Sequence, residues 1–220
     1  MSFNKNLILF LPLLYFGLAM CFHKNMYTGS KILWSVSQPI VPDISLPYLN
    51  SQDKMVLAGG QMIQKQERNG YRGTCQVVID IKASADVVFD TLTQFSMYQG
   101  RIPVVRSSKI ISSDDVNIVS EFILSKFLLR VNIKHTVVKE ERVVHFSLEP
   151  TRLNFVFQEV QGFWHIQIPT DRPEGYCRVY LSIHIVAHKM VPTVLLDYAA
   201  SKALPRATEW LKPFFEKTVI

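Results

Sequence analysis

Alternation of apolar and polar residues begins near residue 74 and recurs along most of the chain that follows. In residues 74–82 one side of the pattern is polar, and the other side carries Cys75, Val77, Ile79 and Ile81. This period of two is typical of a half-buried strand. The same pattern predicts six more strands at residues 104–112, 116–124, 126–138, 142–149, 154–168 and 176–188. The links between these strands are short and turn-like, so we expect antiparallel hairpins.

Two segments have helical periodicity instead. Ser84 is a favourable N-cap residue, and the apolar positions that follow it predict a short helix that ends in a turn near Tyr98 and Pro103. From Pro192 onward, apolar residues recur at helical spacing, which predicts a long amphipathic helix that Pro205 kinks. This order of elements indicates an α+β fold, with a curved antiparallel sheet of about seven strands wrapped around the C-terminal helix.

The N-terminal part of the chain differs in pattern. Residues 7–22 read LILFLPLLYFGLAMCF and carry no charge. This run is short for a membrane span and fits the apolar core of a secretory signal, although an uncleaved anchor stays open. A basic segment follows the run. After it comes a connector with three prolines, residues 39–54. We therefore divide the chain into a signal-like leader at 1–22, a linker or transit-like segment at 23–53, and a folded domain at 54–220.

The leader and linker also suggest a destination. Phe22, followed by a basic stretch without acids, resembles the two-part leaders of plastid proteins in algae with complex plastids. We expect entry into the secretory pathway through an N-terminal signal or anchor. Transfer to a plastid is one continuation, and a membrane-associated or extracellular location is the other.

Composition and charge narrow the function. The 220 residues are 48% hydrophobic and 19% charged, as expected of a chain with a packed core. The net charge is +6, but residues 1–42 supply +3 of it through three lysines and no acids. The remaining residues carry 21 bases and 18 acids, without a basic run. A nucleic acid is therefore not an expected partner.

Sequence motifs for catalysis or cofactor binding are absent. The chain has no His-Glu-x-x-His or paired-cysteine spacing for zinc, no Gly-x-Ser-x-Gly and no phosphate-binding loop. We expect no metal and no cofactor.

Two segments resemble the START-like (SRPBCC) superfamily, in the branch of coenzyme Q-binding proteins and polyketide cyclase/dehydrase domains. Residues 87–111 read VVFDTLTQFSMYQGRIPVVRSSKII and are similar to the helix and turn after the first strand of that family, with Gln94 in place of the usual Asp. Residues 161–169 read QGFWHIQIP and resemble its Gly-x-Trp-x-x-x-Pro strand. The resemblance covers about residues 56–220 and implies a helix-grip fold. In that fold the first and last strands are antiparallel neighbours, which would place Cys75 and Cys177 seven or eight residues apart along the ladder, so both should be free thiols.

The resemblance also implies a function. Members of the family bind lipids, quinones, sterols or polyketides between the sheet and the C-terminal helix. We therefore expect this chain to bind and to transport or chaperone a hydrophobic small molecule, which can be lipid-like, quinone-like, sterol-like or pigment-like. The predicted lining residues are Tyr98, Phe122, Leu124, Phe146, Trp164, Leu181, Leu195, Tyr198, Ala199 and Ala203.

Two alternatives remain open. A polyketide cyclase or dehydrase would use the same cavity with polar contacts from His135, Arg130 or Tyr98; whether the protein is an enzyme is undecided, with a non-enzymatic role favoured. His135 falls on the apolar side of its strand, and we expect it at a strand end near water rather than in the pocket. A membrane surface is the other alternative, with lipid contacted by Trp210, Phe214 and Phe215. The oligomeric state is left open.

Overall fold

The computed structural model describes residues 44–124, 128–149, 155–198 and 207–216. The strands are β1 Ile63–Asn69, β2 Arg72–Ile81, β3 Val105–Ser113, β4 Asn117–Leu124, β5 Leu129–Val138, β6 Val143–Leu148, β7 Phe157–Gln167 and β8 Cys177–Ala187. The helices are α1 Ser51–Ala58, α2 Ala85–Thr93, α3 Tyr98–Arg101, α4 Thr193–Tyr198 and α5 Leu211–Glu216.

All eight strands form one antiparallel sheet in the order β1-β2-β8-β7-β6-β5-β4-β3. β1 and β3 are its two edges, so the sheet is not closed. The seven predicted strands are found with ends that differ by at most three residues from the alternation pattern. The turn between β3 and β4 is closed by Asp114, whose carboxylate accepts hydrogen bonds from the amides of Val116 and Asn117.

The eighth strand, β1, is the one that the pattern did not predict. Its sequence IQKQERN has almost no apolar residues, and most of its side chains are exposed. Such a composition is compatible with an edge strand, which packs little against the core. Helix α1 was not predicted either: it begins at Ser51, inside the predicted connector 39–54, and Asn50 caps it in a reciprocal capping box with Asp53.

Helix α2 lies where the sequence predicted a helix. The Ser84 hydroxyl accepts a hydrogen bond from the Val87 amide, which satisfies one free amide of the first turn. The buried side of α2 consists of Ala85, Val88, Phe89, Thr91 and Leu92. Val87, which the pattern placed among the apolar positions, is 54% exposed.

The two faces of the sheet have different coverings. Helices α2 and α5 pack on one face, which we call the core face. On the other, outer face, Leu57 of α1 packs against Val78 and Tyr180. Beside this contact the buried carboxylate of Asp80 forms ion pairs with Arg178 and Arg172. The outer face therefore holds a small second cluster with a buried ion network at its edge.

The cysteine prediction can be compared directly with the strand register. Cys75 pairs with Ile183, and Cys177 pairs with Ile81, six residues along β2 from Cys75. At about 3.3 Å per residue this separation is roughly 20 Å, far beyond disulfide geometry. Both thiols are free and buried, which confirms the prediction.

Several predictions fall on parts of the chain outside the described residues. These are the leader 1–22, most of the linker 23–53, and the kink at Pro205. The predicted C-terminal helix is described at its two ends, α4 and α5. Within the described ranges, no helix combines the length and the apolar character needed to cross a bilayer.

Candidate functional site

The core face of the sheet is apolar but unevenly covered. Side chains near α2 and α5, such as Ile79, Ile81 and Val179, are almost completely buried. Other apolar side chains that pack against the same core are partly exposed: Ile118, Leu124, Leu129, Val137, Phe146, Leu148, Phe157, Ile183 and Ile185. A partly covered apolar surface inside a folded domain is the kind of surface that a hydrophobic ligand can occupy.

A hollow of about 200 Å³ opens on this face where β1, β2 and β8 meet. Its floor is apolar, because Cys75 pairs with Ile183 and Ile185 lies on the next core-face position of β8. At its rim, Arg68 forms an ion pair with Asp197 of α4. The hollow is lined by strand residues alone, none of them among the predicted lining residues, and the Arg68–Asp197 ion pair is its link to the C-terminal helix.

A line of paired residues leads from this hollow across the core face. We call it the Gly162 row; its members in sheet order are Cys75, Ile183, Gly162, Phe146, His135 and Ile118. A side chain at Gly162 would lie 2.6 Å from Cζ of Phe146, so the phenyl ring occupies the space that glycine leaves free. The glycine of the predicted Gly-x-Trp motif thus makes room on the core face.

The structure places the predicted lining residues in different settings. Trp164 and Leu181 pair across β7 and β8, next to the Gly162 row, and both are buried. Tyr98 and Phe122 are buried at the other side of the core face, with ring centroids 5.7 Å apart. Leu124 and Phe146 are half-buried, whereas Leu195 of α4 is 41% exposed. The side chain of Tyr198, and residues Ala199 and Ala203, lie outside the described residues.

The residues that line the hollow were not predicted as a site. The alternation pattern placed Cys75 and Ile183 on apolar strand faces, but their proximity depends on the register of β2 against β8. Gln66 and Arg68 come from β1, a strand that was not predicted. A local pattern carries no information on register, so the hollow could not be predicted from it.

The expectation for His135 is wrong in one respect. The residue lies inside β5, between paired strands β4 and β6, and its side chain is only 5% exposed. Its imidazole stacks on Phe95 with ring centroids 3.8 Å apart, and the edge of Phe122 is 6.0 Å away. Neither ring nitrogen has a hydrogen-bond partner among the described residues. His135 is therefore a buried core-face residue and not a strand-end residue near water.

Burial gives His135 a measurable effect on stability. Desolvation lowers the pKa of His135 to about 3, whereas an unfolded histidine titrates near 6.5. Above pH 6.5 both states are neutral; as the pH falls below 6.5, the unfolded state takes up a proton that the folded state does not. We expect His135 to reduce the unfolding free energy by about 1.4 kcal/mol per pH unit between pH 6 and 4.

Urea unfolding at pH 7, 6, 5 and 4 measures this effect. In the variant His135→Phe, about one proton fewer should be taken up on unfolding at pH 4–6, so the unfolding free energy should depend less steeply on pH. Phenylalanine keeps the stacking on Phe95 but does not titrate. If the unfolding free energies of wild type and His135→Phe changed equally with pH, His135 would not have the lowered pKa assigned to it.

Of the three polar residues proposed for a cyclase, Tyr98 and His135 lie on the core face, where both pack against Phe95 and Phe122. Arg130 lies on the outer-face side of β5 and pairs with Glu121 at 2.9 Å. The Tyr98 hydroxyl donates a hydrogen bond to the Leu92 carbonyl, and burial raises the pKa of Tyr98. With the low pKa of His135, this arrangement provides no general base matched to neutral pH.

A second, larger hollow of about 380 Å³ lies on the outer face, over β5 to β8. Its lining is mostly polar but includes the rings of Phe146 and Phe163, and burial lowers the pKa of His145, which lies in it. Within the described part of the chain, no three His, Cys, Asp or Glu side chains are grouped to hold a metal ion. The sequence did not point to this hollow, because its residues read as an ordinary solvated strand face.

Of the three aromatic residues proposed for membrane contact, two are buried in the core. Trp210 and Phe215 are buried, and Trp210 packs against Tyr98 with ring centroids 6.5 Å apart. Phe214 is 39% exposed and carries the guanidinium of Arg101 over its ring. Trp210 and Phe215 therefore cannot contact lipid in this conformation.

No family model and no curated protein matches the sequence, but solved structures match the fold. The Zhui aromatase/cyclase from a Streptomyces species has a TM-score of 0.58 at 12% identity, over 73% of this chain and 97% of that one. A STAR-related lipid transfer protein from Xanthomonas axonopodis has a TM-score of 0.57 at 14% identity, over 70% and 92%. A START superfamily protein from Mycobacterium smegmatis has a TM-score of 0.53 at 12% identity, over 66% and 99%.

These similarities show the architecture of the domain. The chain has a START-like (SRPBCC) fold, an α+β helix-grip arrangement with an open antiparallel sheet. The fold predicted from the two sequence motifs is thereby confirmed. Because unrelated activities share this fold, the function has to be argued from the site.

Proposed function

We propose that this protein binds a hydrophobic small molecule on the core face of its sheet, against the C-terminal helix, and transports or chaperones it. The observation that carries the proposal is the apolar hollow of about 200 Å³ between Cys75, Ile183 and Ile185. An open concave surface with an apolar floor and a few polar groups at its rim is the kind of surface that binds a small hydrophobic molecule.

Two further observations support this function. The hollow continues into partly exposed apolar side chains along the core face, including Phe146. One structural neighbour is described as a lipid transfer protein and another as an aromatase/cyclase, so the fold is found in proteins of both kinds. The transport role is favoured for this chain because the three polar residues proposed for a cyclase provide no general base matched to neutral pH.

The ligand class consistent with this surface is an apolar or weakly polar molecule, such as a lipid, a quinone, a sterol or a pigment. We expect native mass spectrometry of the full chain, isolated from its own cells, to show a non-covalent adduct. Organic extraction of the same sample should release that molecule for identification.

A matched pair of variants tests the location of the site. Ile183→Trp places an indole in the hollow and should lower the ligand occupancy at least tenfold. His184→Trp adds the same side chain at the next residue, on the outer face, and should keep the wild-type occupancy. Equal occupancy in both variants would place the ligand elsewhere, and protein that carries no adduct and binds no added quinone, sterol or fatty acid would refute the function.

A further inference from the structure

Two polar side chains on the core face are buried without hydrogen-bond partners. They are the imidazole of His135, at both nitrogens, and the hydroxyl of Ser120, which is completely buried. Leaving a buried donor or acceptor unsatisfied costs about 1–3 kcal/mol. Buried polar groups in native proteins are therefore nearly always paired, and an unpaired group calls for a partner, which is an ordered water or a ligand atom.

These two groups lie next to each other on the sheet. His135 of β5 is opposite Ile118 of β4, and Ser120 is opposite Ile133. Ser120 and His135 are therefore diagonal neighbours on the same face, at a spacing of about 7 Å that side chains can bridge through one small group. One ligand atom between them can contact both.

The same row connects this polar pair to the apolar hollow. From His135 the Gly162 row passes through Phe146 and Gly162 to Ile183, which is three strand spacings, or about 14 Å. Gly162 contributes no side chain along this line, and the half-buried ring of Phe146 lies over it. A rod-shaped ligand that takes the place of the Phe146 ring would reach from the hollow to His135.

We propose that His135 and Ser120 form a polar subsite that binds the hydroxyl or carbonyl oxygen of an otherwise apolar ligand, whose body lies along the Gly162 row. The proposal rests on the proposed function, since it assigns the orientation and the polar group of the same ligand. It divides the site into an apolar entrance at Ile183 and a polar end at His135.

The chemistry of the subsite selects an uncharged group. A neutral imidazole has one donor and one acceptor, and a serine hydroxyl can act as either. The rings of Phe95 and Phe122 surround His135 and provide no charge that could balance a buried carboxylate or ammonium group. A phenol, a sterol-type alcohol or a quinone carbonyl satisfies both groups, whereas a hydrocarbon satisfies neither.

The test compares two probes of the same shape, 4-phenylphenol and 4-methylbiphenyl, which differ by a hydroxyl in place of a methyl group. Titration calorimetry with the full chain should show tighter binding of 4-phenylphenol by about tenfold. In His135→Phe the two probes should bind within about twofold of each other, with the affinity for 4-methylbiphenyl retained. Ser120→Ala, a smaller change, should reduce the preference to a few-fold.

The His184→Phe variant, altered on the outer face, controls for the loss of a histidine and should keep the tenfold preference. Equal affinity of wild type for both probes, or an unchanged preference in both His135→Phe and Ser120→Ala, would overturn the subsite while the apolar binding function stands. Failure of wild type to bind either probe would overturn the subsite, whereas the proposed function falls only if the protein also carries no adduct and binds no added quinone, sterol or fatty acid.

Discussion

Replacing Gly162 with alanine is expected to lower the unfolding free energy by roughly 3 kcal/mol or more, or to prevent the protein from folding. A Cβ at this position would lie 2.1 Å from the Ser182 carbonyl oxygen of the neighbouring strand and 2.6 Å from Phe146. The phenyl ring can rotate away, but the carbonyl belongs to the backbone of β8. The β7–β8 pairing would therefore have to separate locally.

The substitution Gly73→Ala provides the control, because Gly73 also lies in a strand of the same sheet. Its Cβ would have only one neighbouring atom within 4 Å, the Glu67 carbonyl oxygen at 3.8 Å, which is an ordinary contact. We expect a change of less than about 1 kcal/mol for this variant. Urea unfolding and soluble yield measure both variants, and a Gly162→Ala protein as stable as Gly73→Ala would refute the assignment.

The second large effect is expected at Asp80. Its side chain is 1% exposed, and its two oxygens accept hydrogen bonds from Arg178 at 2.7 and 3.0 Å. Arg172 forms an ion pair with the same carboxylate at 3.2 Å. Asp80→Ala leaves the buried Arg178 guanidinium with Asp171 alone, and we expect a loss of about 3–5 kcal/mol.

Two comparisons distinguish the cost of leaving a buried arginine unpaired from the cost of losing an ordinary surface ion pair. Asp86→Ala removes the partner of Arg142 at the surface, where Asp86 is 75% exposed, and should cost less than about 1 kcal/mol. The double variant Asp80→Ala/Arg178→Ala should be less destabilised than the sum of the two single variants, because it leaves no unpaired arginine at position 178. Additive losses in this cycle would contradict a coupled pair.

The strands and the core face could be predicted with little error because their signal is local. A period of two marks each strand, and the buried side of each strand follows from the same alternation. The edge strand β1 was missed because its exposed side chains need not be apolar. Helix α1 was missed because three prolines in the preceding segment indicated an extended connector up to residue 54.

His135 shows where local reasoning fails. The alternation placed it on the core face, as the structure does, but its burial depends on Phe95, which comes from a turn forty residues earlier in the sequence. Neither the stacking of these rings nor the absence of a polar partner has a local signature. Desolvation, and with it the depressed pKa, is decided by what packs against a residue.

The sequence by itself determined the class of fold, the alternation that gives the sheet an apolar face, and the two motifs that point to a START-like domain. The tertiary structure decided the features that suggest a specific ligand: the hollow beside Ile183, the space at Gly162 that the Phe146 ring fills, and the unpaired His135 and Ser120. The physical reason is the register of the strands. Periodicity fixes which side of a strand is buried, whereas only the long-range pairing of β2, β8, β7, β6, β5 and β4 fixes which residues lie in one row.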